Sequence, residues 1–409
     1  MTLFKHVRFA GVLGLCLFIA LPARAHGEKL PPPDAKAVVA DATLPFSYSE
    51  EGLAGPGAER LASLYKGAQF VLLGEAHFDY EIPRFAEGLF RDLKAQEGFN
   101  TLVVENDPLA METISGKGYR GNLPAIAKLA KDYPFHIGFS SDQDLALYAR
   151  ITEIANLWGI EQAQGAIRYL ERIAALAPKA KRPLVEAELA VAREKESYAN
   201  LGGYIHDDEG TLGRLQALQA TLGLKAGSEG DVLLARLIHS AEIYSFNRRG
   251  MEGEYVGLYN NTWREALFKK QFMARYSAAA KKHPVKAMFK MGSYHMYRGM
   301  SPVRGFTIGN FAHEFAIANG SKAVGLDVIA IGEMKWEDIP VWMRPMMPDA
   351  KPGTPIIIDF TPLQPISSLL AKQLPEEADG LRLRAYVHGH DAMVVLPDSK
   401  QATVKLTRE

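Results

Sequence analysis

The sequence predicts an α/β fold, with a mostly parallel central sheet flanked by helices and a large helical insertion or cap. Three observations predict it. From Phe70 onward, short continuous apolar runs alternate with apolar residues at three- and four-residue spacing, the pattern of buried strands joined by helices. Between about Gln162 and His283 the strand signals stop and helical spacing dominates. Short β-leaning runs bounded by Gly and Pro then return and continue to "DAMVVLP", Asp391 to Pro397.

The elements follow in order. Residues 1–25 read as a cleaved signal peptide. Lys5 and Arg8 form a basic start, "FAGVLGLCLFIAL" is an apolar core too short for a membrane span, and "ARA" offers the small residues of a cleavage site. The only cysteine, Cys16, lies inside this segment, and Leu15 is too bulky for a lipoprotein box. The mature chain would hold no disulfide and no thiol chemistry. A periplasmic or secreted protein is expected, with no membrane association after signal cleavage.

Lys and Arg number 47, as do Asp and Glu. Loss of Lys5, Arg8 and Arg24 with the signal leaves a net charge of −3. That balance carries no electrostatic footprint for nucleic acid.

Residues 26–67 form a leader and N-terminal segment, of which 26–45, rich in Pro and Ala, is expected to be loose. Residues 68–161 form the first half of the α/β core. "FVLLGE" is a buried strand, Ile82, Phe85, Ala86, Leu89, Phe90 and Leu93 mark a helix, and "TLVVEND" is a second strand. Strand, helix and strand in about 35 residues make a βαβ unit with a right-handed crossover and parallel neighbours. Residues 162–284 form the helical insertion or cap, and residues 285–400 the second half of the core. "WMRPMMPDAKPGTP", Trp342 to Pro355, reads as a surface loop or lid, and "HGH", His388 to His390, as surface structure.

The chemistry gathers at strand ends. In a parallel sheet, ligands bind beyond the carboxyl ends of the strands. "VLLGEAHF" ends an apolar run in Glu75 and His77, and "LVVEND" ends another in Glu105. "LWGIEQ" ends in Glu161 and Gln162, and in "KAMFKMGSYHMYRG" a strand ending near Met291 turns at Gly292 and leads to His295. The predicted catalytic set is therefore Glu75, His77, Glu105 and His295. A carboxylate beside a histidine orients the ring, paired carboxylates drive one pKa up, and a second histidine can stabilise an oxyanion. No GxSxG elbow and no cysteine nucleophile is present, which leaves water activated by His or Glu as the simplest attacker. The same four residues have the chemistry of a divalent metal site, though no HExxH helix points to zinc. Arg84, Trp158, Glu161, Gln162, Arg264 and Tyr294 are candidate substrate-binding residues. Arg84 lies close enough after His77 to clamp an anion, and Tyr255, Tyr259, Asn261 and Arg264 form a polar-aromatic face near the cap.

With these residues in hand, the chain resembles the erythromycin esterase-like group, part of a superfamily with the ChaN haem-uptake proteins and the Tiki/TraB proteases. "LLGEAHF" matches the shared Gly-Glu…His motif, and "FNTLVVEND" resembles the following strand ending in glutamate. "LWGIEQ" is similar to the Gly-aromatic-acid-x-Gln element, with Ile160 replacing the aromatic. "WREALF" with "FMARY" resembles the Arg-acid helix before the second-histidine strand. "KMGSYHMYRG", "FTIGNF" and "HGHDAMVVLP" resemble the elements that follow, in matching order over residues 68–397.

The resemblance implies an exported hydrolase that cleaves an ester, lactone or amide of a small-molecule or peptide substrate, with no required cofactor. His77 would be the base on water, Glu75 its partner, and Glu105 and His295 would complete the site. One residue, Ala76, separates Glu75 from His77, a spacing closer to ChaN-like proteins. That favours a second reading as a haem- or iron-binding uptake protein, with Tyr80, Tyr294 and Tyr297 as iron ligands. A third is a Tiki-like metallopeptidase with Glu75, His77, Glu105 and His295 on the metal.

Overall fold

The computed structural model describes residues 32–138, 140–197, 203–206, 209–252, 257–332 and 334–408. The expected signal peptide and Tyr255 lie outside the described residues. Residues from Ala35 onward form one unit.

Eight strands make the central sheet: β1 (Thr43–Pro45), β2 (Phe70–Glu75), β3 (Thr101–Val104), β4 (Asn156–Gly159), β5 (Ala287–Gly292), β6 (Ala323–Ala330), β7 (Ile356–Asp359) and β8 (Ala392–Leu396). Their order is β1-β7-β8-β6-β2-β5-β3-β4. The six strands from β8 to β4 run parallel, while β7 is antiparallel to β8 and β1 to β7. The predicted mostly parallel α/β sheet is present. β2 and β3 are near neighbours rather than neighbours, because β5 enters between them. A strand almost two hundred residues later in the chain thus sets its carboxyl end beside both Glu75 and Glu105.

Strand periodicity assigns the two faces. In β2, Val71 and Leu73 join the core built on Phe85, Leu89 and Leu93 of helix Glu81–Glu97. That helix ends at Gly98, whose φ of 74° is left-handed and favours glycine there. Phe70 and Leu72 face the opposite core, which contains Phe268 and Phe272 of helix Gly257–Ala280. Both faces of β2 are covered, which is why it reads as a continuous apolar run rather than an alternating one.

Helices Ile167–Leu176, Arg182–Lys195, Gly203–His206, Glu209–Leu222, Glu229–Met251 and Gly257–Ala280 occupy the expected insertion. Tyr169, Leu170, Ile173, Val185, Leu189, Leu215, Leu234 and Leu237 form a separate core there. The last helix behaves differently, since Phe268 and Phe272 seat it on the sheet.

Three expectations are corrected. The leader is not loose throughout: Ala35–Ala42 is a helix that leads into β1, with Val39 and Ala42 buried beside Ile356 and Met343. Short apolar residues two to three apart give too weak a signal to show this before β7 is placed. Trp342–Pro355 is not simply a surface loop, because Met343, Met346 and Met347 are buried in that same core. Of the "HGH" tract, His388 is exposed but His390 is fully buried against Tyr297 and Tyr386.

Candidate active site

The carboxyl ends of β2, β3 and β5 converge on His77. Its Nδ1 lies 3.3 Å from Glu75 Oε1, and its Nε2 lies 3.4 Å from Glu105 Oε2. The turn after β5 closes the floor. The Gly292 N–H donates to Glu105 Oε2 at 2.6 Å. A Cβ on Gly292 would come within 3.0 Å of His77 Nε2 and 3.3 Å of Glu105 Oε2, so a larger residue there would press on both side chains. Among the side chains of this cluster His77 is the most open, at 24% exposure, against 7% for Glu75 and 4% for Glu105. It is the group that can meet a substrate.

Each glutamate is held by its own cation. Lys290, on β5 and almost fully buried, donates to Glu75 at 2.9 and 2.7 Å and to Asp144 Oδ1 at 2.7 Å. Asp144 is also the N3 residue of a capping box with Ser141, which opens helix Asp142–Ile154. On the other side, Arg264 of helix Gly257–Ala280 donates through Nη2 to Glu105 Oε1 at 2.5 Å. The same guanidinium pairs with both oxygens of Glu161, its Nε 3.1 Å from Oε1. A forked donor suits this bridging of two carboxylates.

His295 completes that side. Its Nε2 is 3.1 Å from Arg264 Nη1 and 3.5 Å from Glu105 Oε1. Its Nδ1 is 2.5 Å from Glu265 Oε1, and Glu265 Oε2 accepts the Ile308 N–H at 2.6 Å. Arg264 and Glu265 are adjacent in "WREALF", and the helix aims both at the site.

The charges follow from this geometry. Burial opposes the imidazolium of His77, but Glu105 and Glu75 outweigh it and push its pKa up to about 10. Burial opposes the charge on Glu105 as well, yet His295, Arg264 and His77 hold its carboxyl well below the ordinary range. For Glu75, Lys290 and His77 likewise overcome burial and lower the pKa. Glu161 goes the other way: burial raises it, despite Arg264. At neutral pH the cluster is therefore an imidazolium between two carboxylates, flanked by two further cations.

The candidate substrate-binding residues divide. Arg264 and Glu161 are in the cluster. Tyr294 neighbours His295 and is 57% exposed. Arg84 is turned away, with its guanidinium on Glu50 and Glu81. Trp158 lies within β4, buried against Phe272. The Gln162 N–H donates to Glu161 Oε1 at 2.8 Å, and Gln162 lines a small pocket of about 10 Å³ with Glu161, Tyr169, Arg236 and Gln271. Asn261 is half-buried on helix Gly257–Ala280, and the Tyr259 side chain lies outside the described residues. A larger cavity of about 630 Å³ lies at the other end of the sheet, between Asn100, Asn156, Arg275 and His283, away from the cluster.

A metal does not fit these residues as they stand. Both ring nitrogens of His77 and of His295 already face polar partners, and the Arg264 guanidinium stands between Glu105 and Glu161. Among the described residues no group of three or more His, Cys, Asp and Glu is arranged to hold a metal ion. The three tyrosines of the haem reading are in three settings. Tyr294 is exposed, Tyr297 is buried against His390 and Tyr386, and Tyr80 lies beneath the Lys400 ammonium.

Two site residues are absent from the sequence reading, Lys290 and Asp144, and Glu265 enters it only as the acid of the "WREALF" motif. Lys290 carried a signal, being a lone charge inside the apolar run "AMFKMG". A lysine buried in a strand needs a carboxylate partner. Asp144 and Glu265 sit on helices, where an acid reads as ordinary surface.

Neither a family model nor a curated protein matches the chain. Solved structures do. A protein described as a succinoglycan biosynthesis protein superposes with a TM-score of 0.57 at 13% identity, covering 92% of this chain and 100% of that one. A Bacillus cereus protein gives 0.55 at 12% identity, covering 91% and 100%. Erythromycin esterase EreC, solved as a mutant in its open conformation, gives 0.53 at 14% identity, covering 86% and 95%. The chain shares the fold of these solved structures.

Proposed function

We propose that this chain is a hydrolase of the erythromycin esterase-like type, cleaving an ester, lactone or amide bond in a small-molecule or peptide substrate. The observation that carries the proposal is His77, partly open to solvent between two ionised carboxylates at the carboxyl edge of a parallel sheet. No chemistry beyond proton transfer and charge stabilisation is asked of the site.

The charge state sets the direction of the first step. His77 rests as an imidazolium, so it donates before it can accept. Water against the cluster gives its proton to one flanking carboxylate as its oxygen attacks the substrate carbonyl. The imidazolium, the most open side chain of the cluster, stabilises the developing oxyanion, with the Arg264 charge behind Glu105. His77 then protonates the leaving oxygen or nitrogen, and the carboxylate returns its proton to the ring. Both carboxylates sit below their ordinary pKa and are weak bases, so the uptake and the donation must be closely coupled. His77 acts as a base on water directly only after losing its proton.

The test is a panel of chromogenic esters, lactones and amides with purified residues 26–409. We expect turnover that survives chelation and falls by about 10²–10⁴ in His77→Ala, while the variant still unfolds cooperatively. Equal turnover in that variant would remove His77 from the chemistry, and no turnover by the parent on any member of the panel would remove the hydrolase assignment. Export rests on residues 1–25. Among the described residues no helix is long and apolar enough to cross a membrane. Sequencing the N-terminus of protein recovered from outside the cytoplasm should read from His26.

A further inference from the structure

The loop that carries His77 contains a strained residue. Phe78 has a φ of 63°, in the left-handed region that non-glycine residues avoid. Such a conformation is costly and persists only where surroundings enforce it. Its surroundings here are a distant piece of chain. The Ala402 N–H donates to the Phe78 carbonyl at 2.9 Å, and the Tyr80 N–H donates to the Lys400 carbonyl at 2.9 Å. Between them Asp79 and Gln401 form an antiparallel bridge. The Ser399 hydroxyl donates to Asp79 Oδ2, while Asp79 Oδ1 caps helix Glu81–Glu97 through the Glu81 and Ile82 N–H groups at 2.8 and 3.0 Å.

The same piece of chain then fastens a second element of the site. The Asp142 N–H donates to the Thr403 carbonyl at 2.9 Å. The Gln143 and Thr403 side chains and the Thr403 N–H interlock at 2.9 and 3.1 Å. The Asp142 carboxylate accepts the Lys405 and Leu406 N–H groups at 3.0 Å each. Asp142 opens the helix whose Asp144 holds Lys290, and Lys290 holds Glu75. One segment therefore ties down both the loop after Glu75 and the helix start that supports Glu75 through Lys290.

We propose that Ser399–Leu406 is a positioning strap for catalysis: it holds the His77 loop in its strained shape and fixes that loop against the Asp144–Lys290–Glu75 chain. The strap touches no reacting atom. Its catalytic consequence rests on the hydrolase reading, whereas its mechanical part does not. With the strap released, the Phe78 strain is relieved by movement of the loop, and His77 leaves its place between Glu75 and Glu105. A displacement of about 1 Å at such a group can cost on the order of a hundredfold in rate.

The test uses the full mature chain. Ala402→Pro removes the N–H that reaches Phe78, and Ala402→Gly keeps it. Ser399→Ala removes the hydroxyl on Asp79, and Ser399→Thr restores one. The first readout is hydrogen–deuterium exchange of the peptide covering residues 76–81, with residues 323–330 of β6 as reference. The second is kcat and KM on the best ester from the panel. Ala402→Pro and Ser399→Ala should speed exchange in 76–81 at least tenfold while β6 stays protected. They should lower kcat about ten- to a hundredfold with KM within about twofold, and Ala402→Gly and Ser399→Thr should behave as the parent. Ser399→Ala carries the test if the proline variant does not fold. Unchanged exchange in 76–81 overturns the strap, whatever the activity. Faster exchange with unchanged kcat overturns its catalytic role. A parent protein that turns over no substrate removes the hydrolase reading and leaves the exchange result to decide the strap.

Discussion

On one side of His77, Glu75 leads to Lys290 and Asp144; on the other, Glu105 leads to Arg264 and Glu161. Each arm is a buried cation bridging two carboxylates. Their anchors differ. The first arm is made from β2, β5 and helix Asp142–Ile154, all within the α/β core. The second takes its cation from helix Gly257–Ala280, at the end of the helical insertion. A lysine on a strand gives a point charge fixed by the sheet. An arginine on a helix gives a fork that spans two acids and reaches His295 as well. The difference teaches that the first arm is part of the fold, whereas the second joins the insertion to the chemistry.

Breaking the first arm should therefore cost the fold most. Lys290→Met leaves Glu75 and Asp144 buried without their cation, and a loss of about 3–5 kcal/mol is expected. Urea denaturation of the two proteins would read it, and a loss under about 1 kcal/mol would show that the arm is not structural. Changing the second arm should touch activity before stability. Arg264→Lys keeps one charge but loses the fork. We expect kcat to fall about ten- to a hundredfold while the urea midpoint moves little. A large stability loss with normal kcat would erase the distinction between the arms.

The charge that both arms maintain on His77 has a pH signature. Its folded pKa, about 10, lies above the ordinary 6.5, so the folded state holds the proton more tightly. The stabilisation is whole below about pH 6.5 and is lost as pH rises through about 10. Denaturation of the parent and His77→Ala at pH 6, 8 and 10.5 should show their difference shrinking upward, and a difference that grows would reverse the assigned charge. Activity should fall over the same upper range, since the ring enters the cycle as a donor. The smallest effect belongs outside both arms. Arg84→Ala breaks partly exposed pairs with Glu50 and Glu81, so less than about 1 kcal/mol is expected. Substrate KM should not change, and a rise would place Arg84 on the substrate after all.

Legibility in the sequence followed how local each signal was. β2, β3, β5 and β8 announced themselves, because a strand buried on both faces is a plain apolar run. Glu75, Glu105 and His295 were legible as polar residues that end such runs. Helix Ala35–Ala42 and β1 were not legible, because a three-residue edge strand has too few residues to carry a pattern. Arg84 was placed near the chemistry by chain distance, and the direction of helix Glu81–Glu97 turned it onto Glu50 and Glu81 instead. Asp144 escaped because its importance lies in a partner 146 residues distant in sequence.

The residues alone determined a parallel α/β sheet with acids and histidines at its strand ends, since burial and strand period are properties of short windows. Only the tertiary structure decided which cation meets which carboxylate. It alone put β5 between β2 and β3, Arg264 beside Glu105, and Ser399–Leu406 over the His77 loop. Ion pairs and backbone bonds form between whatever the fold brings within about 3 Å, and sequence distance carries no record of that.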